Sequence, residues 1–327
     1  MIGKRFRRTF RPGSWVEVKT PEEIAQTLDA AGTLDGLPFM PEMLPYCGRR
    51  FQVLRPAAKA CVEYPGTYQI RQLRGNDVLL LKELRCSGLD HDGCGRGCML
   101  FWKAAWLRPA NGPERSSEPV RVCGDLISKI RTKTSADRYF CQSTEMARAT
   151  LPLPRSRILV QCLSDLISGS RGFLEMVRLT VMPLWRKATS WAPRRRLAGT
   201  ASRTPSASLG LQPGEWVQIK PADEIAQTLD TRGRNRGLLC DYGMCQYSGG
   251  AYRVRNRLDR MILEPTGEMK QVHNTVILDG LNCLCWNVFG GCPRNDFMYW
   301  REIWLNRVEP GNSAVELQNA STQIPAR

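Results

Sequence analysis

An internal repeat constrains this chain more than any other feature of its sequence. Residues 12–29 (PGSWVEVKTPEEIAQTLD) return 201 residues later as residues 213–230 (PGEWVQIKPADEIAQTLD), and 12 of the 18 positions are identical. Unrelated segments of this length share about one residue, so a duplicated supersecondary unit explains the match. The chain therefore consists of two copies of one module with a further segment between them.

The repeated segment is predicted to begin as a strand and to continue as a short helix. In residues 15–19 (WVEVK), Val16 and Val18 fall on one face and the other three residues on the opposite face. A period of two is typical of a half-buried strand. Thr20 and Glu23 then have the spacing of a capping box, which predicts a helix start.

The second copy keeps the apolar edge of this helix but loses its cap. Pro221 stands where the first copy has Thr20. Ile24 and Leu28, four residues apart, are repeated as Ile225 and Leu229. Residues at this spacing share one face of a helix, so the duplication is predicted to preserve a packing surface.

Later segments of each copy also have β character. Residues 78–84 and 275–281 are rich in Val, Leu and Ile, and both copies close with an aromatic segment, at 101–107 and 299–305. The paired tryptophans of the aromatic segment would share a face in a strand or in a helix, so periodicity leaves its structure open. Short strands separated by Gly and Pro turns predict a small β-barrel of roughly a hundred residues in each copy.

The chain is predicted to be mainly β with an α insert. Its 42% hydrophobic and 24% charged residues are typical of soluble globular proteins. Residues 158–167 and 173–185 have helical spacing, and residues 192–210 have the composition of a flexible linker. The predicted organisation is a basic tail (1–9), a first module (10–110), a basic helical linker region (111–208), a second module (209–310) and a C-terminal tail (311–327).

Positive charge is concentrated between the copies. Of the formal net charge of +16, residues 111–210 supply +10, from 17 Lys and Arg against 7 Asp and Glu. Such a segment suits contact with a polyanion, with Trp15 and Trp216 as aromatic partners for nucleic acid if they are exposed. A solvated charged surface is the alternative interpretation.

Cysteine usage favours a reducing compartment. The 13 cysteines are odd in number and irregularly spaced, and residues 1–13 lack the apolar core of a secretory signal. We also find no run of 18 apolar residues that would predict a membrane span. The sequence therefore predicts a cytoplasmic protein without a transmembrane segment.

Two resemblances follow from these segments. RPGSWVEVK at residues 11–19, followed by GRRFQV at residues 48–53, resembles the start of SH3-like barrels of the KOW kind. The chain as a whole resembles an uncharacterised bacterial family in which this module occurs twice around a helical middle segment. That resemblance implies two SH3-like barrels but no activity, and it is carried by residues 40–53, 85–107, 138–145 and 211–220.

Four cysteines of the first copy form a candidate metal site. Cys61, Cys86, Cys94 and Cys98 have the spacing C-x24-C-x7-C-x3-C, with His91 as an alternate ligand. Thiolates that gather in a reducing compartment are the ligands of zinc and of iron–sulfur clusters. Zinc is the expected ion, and an iron–sulfur cluster is the alternative.

The second copy has a weaker version of this set. Cys283 corresponds to Cys86, and Ile262 stands where Cys61 would be. A second site would comprise Cys283, Cys285, Cys292 and Asp296.

Other cysteines and histidines carry less chemical information. Cys47 and Cys141 are interpreted as packing residues, and His273 precedes a strand. His91 lies in a turn, LDHDG, where it is either a ligand or solvated. We find no P-loop, dinucleotide-binding or HExxH motif, so the corresponding chemistries lack support.

Three functional hypotheses remain open at this stage. The first is a non-enzymatic binding or scaffold protein with a metal-stabilised first module, whose partner is an unknown protein or polyanion. The second is a thiol or iron–sulfur redox protein that uses Cys86, Cys94 and Cys98. The third is a nucleic-acid-binding protein that uses the basic middle segment.

Overall fold

The computed structural model describes residues 9–65, 67–113, 124–153, 197–283 and 294–308. They divide into two compact units. Of the described residues, unit 1 contains those up to 153, together with 262–270 and 294–295, and unit 2 contains 197–261, 271–283 and 296–308. The predicted helices at 158–167 and 173–185, residues 1–8 and 311–327, Cys285 and Cys292 lie outside the described residues.

Unit 1 is organised by a curled, five-stranded antiparallel sheet in the order β8-β7-β4-β1-β9. A second sheet has three strands in the order β12-β6-β5, and two short hairpins pair β2 with β3 and β10 with β11. The strands are β1 (Trp15–Val18), β2 (Thr33–Leu34), β3 (Leu37–Pro38), β4 (Arg50–Pro56), β5 (Lys59–Tyr64), β6 (Thr67–Leu73), β7 (Val78–Arg85), β8 (Met99–Lys103), β9 (Leu107–Ala110), β10 (Lys133–Ser135), β11 (Arg138–Tyr139) and β12 (Thr150–Pro152).

The helices of unit 1 are short. They are α1 (Pro21–Ala25), α2 (Gly124–Lys129) and the 3₁₀ helices η1 (Pro41–Tyr46), η2 (Arg74–Asn76), η3 (Leu89–His91) and η4 (Ala104–Trp106). None of the helices in the described part of either unit is long and apolar enough to cross a membrane.

The repeated segment folds as predicted in unit 1. Val16 and Val18 on β1 are buried, whereas Trp15 and Glu17 are half-buried on the other face. The capping box of α1 is also confirmed, because the Thr20 side chain accepts from the Glu23 N–H while the Glu23 carboxylate accepts from the Thr20 N–H. Strand β1 lies between β4 and β9, so the repeat places its first strand inside the sheet, next to the edge strand β9.

The aromatic segment resolves into two elements. Trp102 lies in strand β8, and Trp106 ends the 3₁₀ helix that leads into β9. Both indoles are fully buried, and Phe39 packs edge-on against the two rings with centroid distances of 6.3 and 5.3 Å. Large aromatic side chains remove much apolar area from water, so these three rings form the centre of the unit 1 core.

Unit 2 contains the same five-stranded arrangement, in the order β20-β19-β16-β13-β21. Val217 and Ile219 are buried on its first strand, and Trp300 and Trp304 are fully buried. Its elements, together with the β17–β18 hairpin whose outer ends belong to it, are β13 (Trp216–Ile219), α3 (Ala222–Gln227), β14 (Arg234–Asn235), β15 (Leu238–Leu239), α4 (Tyr242–Cys245), β16 (Ala251–Arg257), β17 (Arg260–Ile262), β18 (Met269–Gln271), β19 (Thr275–Asn282), β20 (Phe297–Arg301), η5 (Glu302–Trp304) and β21 (Leu305–Val308).

The loss of the cap in the second copy is confirmed as well. Pro221 precedes α3 and makes no side-chain capping bond. Ile225 and Leu229 are nonetheless buried, as are Ile24 and Leu28 in unit 1. Burial of the apolar edge, rather than the cap, is therefore common to both copies.

The described parts of the predicted linker region belong to the two units. Residues 124–153 supply α2, β10, β11 and β12 to unit 1. Residues 197–208 have no regular secondary structure in unit 2, but Gly199 and Ala201 donate backbone hydrogen bonds to the carbonyls of Asp230 and Leu229. These bonds attach the segment to the rest of unit 2, although its composition predicts a flexible linker. The fold is therefore mainly β, with two curled five-stranded half-barrels.

Candidate functional site

Three of the four predicted ligands line one small cavity in unit 1. The cavity has a volume of about 30 Å³ and is lined by Cys86, Cys94 and Cys98, with Cys141 as a fourth thiol. The other lining residues include the apolar Met40, Met99, Leu100 and Met146 and the polar or charged His91, Arg96, Gln142, Ser143 and Arg294. A space of this size accommodates one or two atoms of the size of a water oxygen or a metal ion.

The end of the β7–β8 strand pair positions two of these cysteines at the cavity. Cys86 follows β7 and Cys98 precedes β8, and the Cys86 N–H donates to the Cys98 carbonyl at 2.8 Å. Gly88 has a φ of +68°, and a Cβ at this position would lie 2.0 Å from the Cys94 carbonyl oxygen. The loop can close on Cys94 only because residue 88 is glycine.

His91 is buried in an ion pair rather than solvated. It is 1% exposed, and its Nδ1 lies 2.5 Å from Glu42 Oε1. Its Nε2 lies 3.0 Å from the Phe140 carbonyl oxygen, so Nε2 carries a hydrogen and donates. Burial lowers the pKa of His91, but the hydrogen bond and charge of Glu42 outweigh burial and leave the pKa raised. Both ring nitrogens are therefore engaged, and the interpretation of His91 as a solvated turn residue is wrong.

The other carboxylate oxygen of Glu42 is unusual. Oε2 is buried, and no hydrogen-bond partner for it occurs among the described residues. Burial first, and then the negative charges of Glu42 and Cys98, raise the pKa of the Cys86 thiol well above its usual range. The carboxylate thus lies close enough to the cavity to favour positive charge there.

Burial favours the protonated thiol at Cys86 and at Cys141. Burial also raises the pKa of Cys141, and the neighbouring Cys94 raises it further, against hydrogen bonds from Thr144 and Ser143 that lower it. A buried, protonated thiol behaves as a small apolar side chain. It ionises only where a nearby cation offsets the free-energy cost of burying the thiolate. Cation binding in the cavity would therefore release protons.

Cys61 is placed differently from the other three predicted ligands. It lies on β5 in register with Ile70 of β6, and the lining of the cavity does not include it. Cys141, interpreted from the sequence as a packing residue, takes the fourth place instead. Among the residues that the structure describes, no three His, Cys, Asp or Glu side chains are arranged as the ligands of a metal ion.

A buried polar network lies beside the cavity in the same unit. Arg294 donates from Nη1 to Glu264 Oε2 at 2.6 Å and from Nη2 to Ser143 Oγ at 2.8 Å, and Ser143 Oγ donates to Glu264 Oε2 at 2.9 Å. Arg96 approaches the same carboxylate at 4.0 Å. Buried charges require partners of this kind, so the network fixes the loop that carries Cys94 and Cys98.

The structure describes only part of the weaker set in the second copy. In unit 2 the Cys283 N–H donates to the Asp296 carbonyl at 2.7 Å, as the Cys86 N–H donates to the Cys98 carbonyl in unit 1. The backbone thus supports the correspondence between these positions. Cys285 and Cys292 lie outside the described ranges.

The two tryptophans considered for nucleic-acid contact are half-buried. Trp15 lies between Gln52 and Ala110 in its sheet, and Trp216 lies between Arg253 and Val308. Each ring therefore offers solvent only part of its surface for stacking.

Comparisons with protein-family models, with curated proteins and with solved structures found no match to this chain. The fold and the cavity therefore describe this chain: it is a duplicated, mainly β protein whose first unit contains a cysteine-lined cavity.

Proposed function

We propose that this is a non-enzymatic binding or scaffold protein whose first unit holds one thiolate-bound metal ion, with zinc as the expected ion. The observation that carries the proposal is the convergence of Cys86, Cys94, Cys98 and Cys141 on one cavity of about 30 Å³. Four cysteine sulfurs are a complete ligand set for a structural zinc site. The ion would be held inside the protein, where it stabilises the fold rather than performing a reaction.

The carboxylate of Glu42 supports a cation in the cavity, whose two lining arginines, Arg96 and Arg294, face Glu264. Glu42 provides a buried carboxylate oxygen without a hydrogen-bond partner among the described residues. Its charge acts on Cys86, and this interaction is unfavourable for a bare thiolate but favourable for a bound dication. Ligation requires the thiol side chains to rotate toward one point and to lose their protons. The proposal also requires a reducing compartment, which the cytoplasm provides.

We further propose that both units are SH3-like barrels, and the arrangement of their strands supports this. In the five-stranded sheet of each unit, the first four strands are paired in chain order and the first strand also pairs with the last, as β1 does with β9. A 3₁₀ helix precedes the last strand in both. Such small barrels expose loops and sheet faces to partners on a rigid scaffold. Binding of a protein or polyanion partner is therefore the proposed activity of the whole chain.

Metal analysis of cysteine variants tests this proposal. The full-length protein is purified under reducing conditions, loaded with zinc and dialysed, and zinc per chain is measured by mass spectrometry. We expect one zinc ion in the wild type and in the control Cys47→Ser, and at least tenfold weaker retention in Cys98→Ser and Cys141→Ser. Cys61→Ser distinguishes a site with Cys61 as the fourth ligand from a site with Cys141, because we expect this variant to retain zinc.

Two outcomes would contradict the proposal. A wild-type protein that retains no zinc under reducing conditions would remove the metal site. Equal retention in the wild type, Cys98→Ser and Cys141→Ser would place the ion elsewhere. A protein that instead shows visible absorption after anaerobic purification would favour the iron–sulfur alternative.

A further inference from the structure

An arginine-rich hairpin in unit 2 connects β14 with β15. Residues 229–240 contain three Arg against one Asp, whereas the equivalent residues 28–39 of the first copy contain two Asp and no Lys or Arg. The formal net charge of this segment is therefore +2 in the second copy and −2 in the first. The three basic residues stand at alternate positions and are Arg232, Arg234 and Arg236.

The hairpin presents these arginines at the surface without acidic partners. Arg232 and Arg236 are exposed, and Arg234 is half-buried. Asp230 accepts hydrogen bonds at 2.8 Å from the backbone N–H groups of Arg232 and Arg234. The Arg234 guanidinium donates to the Gly237 carbonyl at 2.8 Å, and within the described ranges none of the three guanidinium groups forms an ion pair with a carboxylate.

Arg236 occupies a backbone position that does not favour arginine. Arg236 and Gly237 separate β14 from β15, and their φ values are +47° and +85°, as a two-residue type I′ turn requires. Gly, Asn and Asp are the residues that adopt this left-handed region most readily. The first copy has Asp35 at the equivalent position, with a φ of +54°. The second copy thus has a basic residue where the turn favours a small polar or acidic one.

In the first copy this acidic residue neutralises a buried cation. The Lys103 side chain is 1% exposed, and its Nζ donates to Asp35 Oδ2 at 2.6 Å and to Asp77 Oδ1 at 2.8 Å. A buried charge requires such partners. The hairpin of unit 1 therefore closes on the sheet through an internal ion pair.

The equivalent cation of unit 2 has lost both carboxylates. Arg301 corresponds to Lys103, because each is in register with the first residue of the neighbouring long strand and each precedes a 3₁₀ helix. Arg236 takes the place of Asp35. Asn274 takes the place of Asp77, because the carbonyl of each accepts an N–H from the first residue of that 3₁₀ helix at 2.8 Å.

The charge of Arg301 is consequently left without a counter-charge in the described part of unit 2. Its side chain is buried, and its guanidinium donates only to neutral oxygens, those of His273, Thr275, Asn235 and Arg236. Its Nε is buried and has no hydrogen-bond partner among the described residues. Burial first, and then the charge of Arg236, lower the pKa of Arg301. Positive potential therefore accumulates at the hairpin.

We propose that the β14–β15 hairpin of unit 2 is a docking surface for single-stranded nucleic acid, which it holds through the phosphates. The inference rests on the proposed function only in that the whole chain binds a partner, and it is independent of the metal site. Bound phosphates supply the negative charge that Asp35 and Asp77 supply in the first copy. The contact is electrostatic, so we expect no preference for base sequence.

The composition of the hairpin favours nucleic acid over other anionic partners. The planar guanidinium group forms paired hydrogen bonds with phosphate oxygens, and arginines interleaved with glycine occur in segments that follow a single strand. In the described part of unit 2, Leu239 is the one exposed large apolar side chain. A protein interface usually has an apolar core, and membrane binding uses an apolar face, so one leucine provides too little for either.

Fluorescence anisotropy with labelled RNA tests this proposal on the full-length protein. The probe is a fluorescein-labelled oligouridine of about 12 nucleotides, and its affinity is measured over a series of salt concentrations. We expect the wild type to bind the probe and to lose affinity steeply as salt rises. For Arg232→Gln/Arg236→Asn we expect about tenfold weaker binding and a salt slope smaller by about 1.4, or about 0.7 for each lost phosphate contact.

A matched control removes two exposed arginines elsewhere in unit 2. Arg253→Gln/Arg255→Gln changes the net charge by the same amount and lies on β16, outside the hairpin. We expect it to keep the affinity and the salt slope of the wild type. The single variant Arg232→Gln, at an exposed position, provides the same comparison if the double hairpin variant fails to fold.

Three results would overturn the inference. The first is a wild type that does not bind the RNA at low salt, and the second is equal weakening in the hairpin and control variants, which would assign binding to net charge alone. The third is hairpin-dependent binding to polyglutamate or to phosphatidylserine vesicles without binding to RNA. Zinc per chain is measured in the same samples, because a wild type that retains zinc without binding RNA contradicts this inference alone, and one that binds RNA without zinc contradicts only the metal site.

Discussion

Trp106 donates a hydrogen bond from its buried Nε1 to Thr27 Oγ1 at 3.0 Å. The second copy contains the same bond, from Trp304 Nε1 to Thr228 Oγ1 at 2.9 Å. In both copies the threonine hydroxyl in turn donates to the carbonyl three residues before it, that of Ile24 or Ile225, at 2.7 Å. The repeated QTLD sequence therefore satisfies the one polar atom of a fully buried indole.

Loss of this hydroxyl is expected to destabilise unit 1. Thr27→Val removes the acceptor and leaves the Trp106 N–H buried without a partner, which should lower the free energy of unfolding by about 1–3 kcal/mol. Chemical denaturation measures the change. Thr27→Ser retains the hydroxyl and should lose less, so a loss in Thr27→Ser equal to or larger than that in Thr27→Val would contradict the role assigned to the bond.

The buried carboxylate of Glu264 is expected to be essential for unit 1. Glu264→Gln removes the charge that faces Arg294, and loss of one partner of a buried ion pair costs about 3–5 kcal/mol. The matched control is Glu63→Gln, because Glu63 is exposed and contacts Glu264 through its backbone N–H at 2.9 Å. Similar unfolding midpoints in guanidinium chloride for both variants would contradict the role assigned to Glu264.

Two cysteines are expected to differ strongly in reactivity. Burial, with a smaller contribution from Glu22, raises the pKa of Cys47 to about 12. The thiolate fraction of Cys47 at pH 8 is then about one in ten thousand, so native protein should not be alkylated there. Cys245, which is partly exposed, should react faster than Cys47 with iodoacetamide. Rapid modification of Cys47 in folded protein would contradict its burial.

Asp29 is expected to contribute stability that is lost in acid. Burial raises its pKa, but hydrogen bonds from the Thr33 side chain and from the Thr33 and Ala31 N–H groups outweigh burial and leave the pKa below 3.8. A lowered pKa stabilises the fold above the unfolded pKa, and this contribution disappears as the pH falls through the folded pKa. Carboxyl NMR titration measures the value, and a pKa at or above 3.8 would refute this expectation.

Removal of metal is expected to weaken unit 1 selectively. If the proposed site is correct, a chelator should lower the unfolding temperature of zinc-loaded wild type, because binding to the folded state alone stabilises it. Cys141→Ser should unfold at the same temperature with and without chelator. An identical midpoint for loaded and chelated wild type would mean that no structural ion was removed.

Local features could be predicted from the sequence because they depend on neighbouring residues. The alternation of Val16 and Val18 and the capping box of Thr20 and Glu23 need only period and spacing, and the structure contains both. The burial of His91 was not predictable in this way. Its partner Glu42 lies 49 residues away, so the turn sequence around His91 gives no sign of the ion pair.

The candidate site shows the same limit. Spacing identified Cys86, Cys94 and Cys98 because one loop carries them all. Cys141 reaches the cavity through tertiary packing, and a lone cysteine in RYFCQ has no spacing that would relate it to that loop.

X-ray absorption at the zinc edge tests the central claim most directly. The measurement uses reduced, zinc-loaded, full-length protein. We predict a shell of sulfur scatterers at about 2.3 Å, the length of a zinc–thiolate bond, with a lower sulfur number in Cys98→Ser and no change in Cys47→Ser. A spectrum explained by nitrogen and oxygen at about 2.0–2.2 Å alone, or a protein that binds no zinc, would contradict the cysteine-lined site.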